Sequence, residues 1–149
     1  MEHPANNKDP IFGWWQLISI YFEFEDNHER ADLYGSTPAG FVVITEDCRM
    51  MGLLMSGDRA SPASDSDKIK LFDSMMCYSG KVRLEDGTWS TTVDASWHPD
   101  WAGTEQVRHY KIDDGIMSVT TAIITHPKYP GRTGKAVVKW HRGRARRAI

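Results

Sequence analysis

The chain has 149 residues, 40% hydrophobic and 26% charged, with a formal net charge of -2. This length suits one domain with a sizeable core and no covalent staples, and the near-neutral charge gives no reason to expect nucleic acid as the main partner. Two cysteines, Cys48 and Cys77, stand in no C-x-x-C or metal-ligand spacing, which argues against a disulfide scaffold and reads as two reduced thiols.

Residues 1–12 read as a flexible leader. Met1 to Pro10 has no apolar core of signal-peptide length and no later run approaches a membrane span, so the sequence predicts a cytoplasmic protein with no membrane partner. Trp14 to Phe24 is rich in aromatic and branched residues and reads as a strand. Strict alternation puts Trp14, Ile18, Ile20, Phe22 and Phe24 on one face and Trp15, Leu17 and Tyr21 on the other. Apolar residues on both faces call for cover on both sides, from the interior and from a helix or a second subunit, so a homodimer is one expectation.

Phe41 to Thr45 and Arg49 to Met55 form a hairpin about Glu46-Asp47-Cys48. Residues 56–66 are loop by composition and could serve as a lid. Asp67 to Met76 is the one helix, capped by Asp65 or Ser66, with a rough apolar stripe of Ile69, Leu71, Phe72 and Met76. Strands return at Tyr78 to Leu84, Thr88 to Ala95, Thr104 to Ile112, Ile116 to Ile124 and Ala136 to His141, separated by turns such as Glu85-Asp86-Gly87 and Asp113-Asp114-Gly115. Residues 143–149 form a basic tail that reads as a disordered terminus. Eight mostly sequential antiparallel strands in so short a chain suggest an all-β, up-and-down barrel over residues 13–142, because closure removes sheet edges. A half-open sandwich is the alternative.

Several stretches resemble the lipocalin-like domain family, small stand-alone bacterial and fungal proteins. Gly13-Trp14-Trp15-Gln16-Leu17 is similar to the family's opening Gly-x-Trp segment, Gly40 to Asp47 to the following hairpin, and Phe72 to Gly80 to the helix-to-strand junction. The most specific match is Pro99-Asp100-Trp101-Ala102-Gly103-Thr104-Glu105-Gln106-Val107-Arg108. The resemblance implies a lipocalin-type barrel with a small-molecule cavity, closed at one end by Trp15 under Arg142. It also exposes a departure: where the family pattern often carries a histidine this chain has Thr91 or Thr92, so an acid–base group of the family is missing.

The strand after the Trp97 to Gly103 loop carries the main chemical signal. Alternation puts Gln106, Arg108, Tyr110 and Ile112 on one face and Glu105, Val107, His109 and Lys111 on the other, and the first set is the better inner face. An inward guanidinium is costly unless it is paired. Arg108 therefore needs either an internal carboxylate, such as Asp94 or Glu105, or a ligand oxygen, for which a guanidinium fork and a neighbouring amide are suited.

Arg108 and Gln106, with Tyr78 as acid or orienting group, are the candidate catalytic residues of a cofactor-free cyclase or isomerase of secondary metabolism acting on an apolar, oxygenated metabolite. Trp97, Trp101, Tyr110, Tyr21 and Met55 are candidate ligand contacts for a small hydrophobic or aromatic molecule. The alternatives are a non-catalytic carrier or sensor, and a solid-cored barrel acting through oligomerisation. The six histidines show neither H-x-H nor H-x-x-x-H spacing, and there is no phosphate loop, G-x-S-x-G elbow or nucleotide fingerprint, so no metal and no cofactor are expected.

Overall fold

The computed structural model describes residues 9–126 and 128–143; most of the leader and all but Gly143 of the basic tail lie outside them. The elements in chain order are β1 (Gly13–Phe24), β2 (Arg30–Asp32), β3 (Ala39–Ile44), β4 (Arg49–Met55), α1 (Asp65–Asp73), β5 (Met75–Glu85), β6 (Thr88–Ser96), β7 (Glu105–Asp113), β8 (Ile116–Thr121), β9 (Ile124–Thr125) and β10 (Thr133–Arg142). The long strands pair antiparallel in the order β1-β3-β4-β5-β6-β7-β8-β10, and β10 pairs back onto β1 to close an eight-stranded barrel. The two short strands extend its walls, β2 along β1 and β9 along β10. Two-residue turns set the register of the tight hairpins. Asp114 and Gly115, both at positive φ (49° and 74°), have the backbone whose twist matches that of the flanking strands β7 and β8.

The faces of β1 differ from strict alternation. Its register against β10 shifts between Leu17 and Ser19, where Ile18 is the extra residue of a β-bulge. The bulge flips the pleat, so the inward set is Trp15, Leu17, Ile20, Phe22 and Phe24, while Trp14 and Ile18 stand outside, 48% and 44% exposed. The inward set joins Val42, Ile44, Met50, Leu54, Val82, Trp89, Val93, Met117, Val119, Val138 and Trp140 in one core. Burying a side chain of this size stabilises by about 1.5–3 kcal/mol, which is why the bulge rather than the simple period decides the register.

The helix also starts and ends earlier than expected. Ser64 is its N-cap, accepting from the Asp67 amide at 3.1 Å, and Met75 and Met76 already belong to β5, paired with Met55 and Leu54. No α1 residue is buried, and Ile69 is 64% exposed. The helix is held instead by Arg59 of the preceding loop, which donates to the Leu71 carbonyl (3.3 Å) and the Ser74 hydroxyl (3.0 Å).

The barrel ends are unlike. At one, Trp15 is fully buried, donates its indole N–H to the Ile11 carbonyl at 2.8 Å, and lies under the Arg142 guanidinium, 4.0 Å from the ring centre. Arg142 also donates to the Phe12 carbonyl at 2.5 Å and to that of Pro10. Gly13 sits at φ 117°, and a Cβ there would come within 3.1 Å of the guanidinium, so the glycine of the Gly-x-Trp segment lets the arginine lie close. Ile11 and Phe12, read from sequence as the end of the leader, are thus part of this plug. The other end is framed by the β1–β3, β4–β5, β6–β7 and β8–β10 connections and forms the mouth.

Candidate functional site in the mouth half of the barrel

On β7, half-buried Gln106, Arg108, Tyr110 and Ile112 alternate with exposed Glu105, His109, Lys111 and Asp113. The ladder sets Gln106 level with Thr91 of β6, and Arg108 level with Trp89 of β6 and Thr121 of β8. Arg108 pairs with Trp89 and Tyr110 with Val119, both buried core residues, so the Gln106, Arg108 and Tyr110 row faces the barrel interior. The sequence-based choice of inner face agrees with this arrangement.

Neither carboxylate considered for Arg108 pairs with it. Asp94 lies outside, bonded to Arg49 and to the Ser79 hydroxyl (2.7 Å), and these contacts hold its carboxyl below the usual range. Glu105 bonds Arg83 at 3.2 Å. Arg108 itself donates to the Val107 carbonyl at 3.0 Å and to the Gln106 amide oxygen at 3.4 Å. A guanidinium has five N–H donors. Two go to these neutral oxygens, and the others have no protein acceptor among the described residues.

A directional chain continues from this pair. The Gln106 amide donates to the Thr104 hydroxyl at 2.9 Å, which donates to the Trp101 carbonyl at 2.7 Å. Because Gln106 gives its N–H to Thr104, its oxygen is turned to Arg108 and the guanidinium is held in place. Trp101 leads into an aromatic series at the mouth: Trp101 to Tyr78 (5.2 Å between ring centres), Trp101 to Trp97 (5.3 Å), and Phe72 of α1 to Trp97 (6.2 Å) and His98 (5.6 Å). The Trp97 indole N–H donates to the Phe72 carbonyl at 3.3 Å, tying the helix to this loop.

The expected site residues fall into three groups. Arg108 and Gln106 are neighbours on the inner wall, and Trp101, Trp97 and Tyr78 form an aromatic group nearer the mouth, linked to Gln106 through Thr104. Tyr78 is 5% exposed and faces inward, but it lies on β5, separated from β7 by β6. Val82, not Tyr78, is the β5 residue level with Thr91 and Gln106, so Tyr78 sits four residues, roughly 13 Å along its strand, nearer the mouth. Tyr110 faces inward toward the plugged end, and burial, helped by the Asp9 and Asp86 carboxylates, raises its pKa.

Tyr21 and Met55 face outward. The Arg30 guanidinium covers Tyr21 at 4.4 Å, and Met55 lines a recess of about 620 Å³ on the outer wall with Trp14, Gln16, Phe41 and Leu53. The Ile18 bulge put Tyr21 outside, and no local sequence signal marks that bulge.

Sequence reasoning missed several inner groups. Thr91, one of the two threonines where the family pattern suggested a histidine, is fully buried and accepts the Trp89 indole N–H at 2.8 Å, while Thr92, the other, is exposed. The Thr121 hydroxyl accepts from the Ala136 amide at 3.0 Å. Across the mouth, His126 and Tyr129 pack on Phe22 at 5.7 and 5.8 Å, and burial together with Lys128 lowers the His126 pKa. Tyr34 is pushed up to about 12 by burial. No three His, Cys, Asp or Glu side chains converge as a metal site among the described residues.

A closed eight-stranded antiparallel barrel plugged at one end is an architecture that small-molecule-binding barrels share. The family profile described as lipocalin-like domain matches residues 12–143, and the chain belongs to that family. Comparison with curated proteins gives no match. No helix among the described residues is long and apolar enough to cross a membrane.

Proposed function

We propose that the protein binds a small apolar molecule carrying an anionic or strongly polar oxygen, with the oxygen on Arg108 and Gln106 and the apolar body toward Trp101 and Tyr78. The observation that carries this reading is the inward Arg108 guanidinium with neutral partners only. A cation in such a wall is costly without a counter-charge, and a ligand carboxylate, enolate or phenolate supplies one through charge-assisted hydrogen bonds.

Binding is favoured here over the cyclase or isomerase reading. Catalysis of that kind needs a second titratable group within hydrogen-bond reach of the ligand atom held by Arg108. Tyr78 stands well up the strand, and of Thr91 and Thr92, where the resemblance suggests a histidine, the buried Thr91 has its hydroxyl engaged by Trp89. A carrier or sensor needs only the anchor.

Two naphthalene dyes, one carrying a sulfonate and one neutral, test the anchor by fluorescence titration. A charge-assisted contact contributes about 1.5–3 kcal/mol, so wild type should prefer the anionic dye by about 10- to 100-fold and Arg108→Leu should lose that preference. Equal affinity of wild type for both dyes, or an unchanged preference in folded Arg108→Leu, would remove Arg108 from the site.

A further inference from the structure

The outer wall of an antiparallel barrel is normally polar, because its inward positions already fill the core. On β7 this holds, with Glu105, His109, Lys111 and Asp113 outward. On β1, β3 and β4 it does not. Two adjacent rungs of the ladder place Trp14, Val43 and Met51 side by side, then Gln16, Phe41 and Leu53. None of the six is charged. Trp14 and Met51 are 48% and 43% exposed.

We propose that this face is the contact surface of a homodimer, with two copies packed sheet to sheet about a two-fold axis passing near Gln16. Three observations select a second copy over an unrelated partner. First, a two-fold brings each patch onto itself, so a charge near the axis meets its own kind; the six side chains carry none, and the Gln16 rung continues to His141 of β10. Second, the one polar side chain among the six, Gln16, has a carboxamide that both donates and accepts. Two copies of it can therefore hydrogen-bond reciprocally across the axis.

Third, the patch holds a ridge and a groove side by side. Trp14 and Phe41 stack at 4.3 Å with planes 11° apart, and next to them runs the recess of about 620 Å³ floored by Leu53 and Met55. A two-fold sets each ridge in the other copy's groove. The glycine after β10 sharpens the ridge: a Cβ at Gly143 would lie 2.2 Å from the Trp14 ring, so only glycine lets the indole stand where it does.

The face is modest. With strands about 4.8 Å apart and outward rows about 6.8 Å apart, the three strands by two rows cover roughly 200 Å² in plan, well below the ~800 Å² per partner of a stable complex. The dimer is therefore weak and concentration-dependent. Sedimentation velocity of the full chain from about 1 to 300 µM should show the mass rising from one chain toward two. Leu53→Glu should remain monomeric throughout, while Lys111→Glu on the opposite wall should associate like wild type.

Gln16→Cys, with Cys48→Ser and Cys77→Ser, should give a disulfide-linked dimer on oxidation. Because Gln16 is exposed, this variant reports on the contact even if Leu53→Glu folds poorly. Wild type that stays monomeric at the highest concentration overturns the proposal, as does Leu53→Glu that dimerises normally or Gln16→Cys that stays uncross-linked. So does a wild-type monomer whose neutral-dye binding is lost in Leu53→Glu, which would assign the groove to a small ligand.

Discussion

Arg108→Leu separates a ligand anchor from a structural arginine by its effect on stability. The substitution removes two hydrogen bonds to neutral oxygens, at 3.0 and 3.4 Å, together worth about 2–3 kcal/mol. It also removes the desolvation penalty of a half-buried cation without a carboxylate partner, several kcal/mol for full burial and so about 2–3 kcal/mol here. The leucine adds about 1 kcal/mol of apolar contact in the barrel wall. The sum predicts that ligand-free Arg108→Leu is as stable as wild type or more stable by about 1 kcal/mol, a rise in Tm of about 2–4 °C for a domain of this size. Urea unfolding followed by tryptophan fluorescence measures it. A loss of 2 kcal/mol or more would mean that Arg108 holds the fold together, and the ligand argument would fail with it.

Arg142→Met at the plugged end should behave in the opposite way. It loses the cation over Trp15 and the donations to Phe12 and Pro10, and a shift in the urea midpoint should report a cost of about 3 kcal/mol. Trp140 has a buried indole N–H without an acceptor, whereas the Trp89 N–H is satisfied by Thr91. Trp140→Phe should therefore cost about 1 kcal/mol less than Trp89→Phe in the same denaturation assay, where equal costs would contradict it. His126 has a lowered pKa, chiefly from burial and secondarily from Lys128, so the unfolded chain binds its proton first as pH falls. Its contribution is complete above the ordinary histidine pKa near 6.5 and declines as pH drops through 6.5 toward the lowered folded value. His126→Phe should flatten that part of the stability–pH curve, and an unchanged slope would show that the proton goes elsewhere.

The fold was largely legible because the turns and the two-residue period are local. Asp113-Asp114-Gly115 and Glu85-Asp86-Gly87 punctuate the strands, and alternation along β7 orients Arg108 correctly. Alternation failed on β1 because a bulge is decided by packing: Ile18 is expelled so that Trp15 can plug one end while Phe22 and Phe24 fill the other. That one residue moved Tyr21 from the expected site to the outer wall.

The helix boundary slipped because Met75 and Met76 suit helix and strand alike, and pairing with Met55 and Leu54 decides between them. The site was legible only as residue types. That Asp94 and Glu105 are engaged by Arg49 and Arg83, leaving Arg108 to neutral oxygens, depends on neighbours across the sheet which no local pattern encodes.

Native mass spectrometry after incubation with a metabolite extract puts the ligand reading to its most direct trial. Wild type should carry a small acidic or phenolic apolar molecule in stoichiometric amount, and Arg108→Leu, equally folded, should emerge without it. Retention of the same molecule by both proteins, or a wild-type chain that captures nothing from an extract rich in such compounds, would contradict a ligand anchored on Arg108.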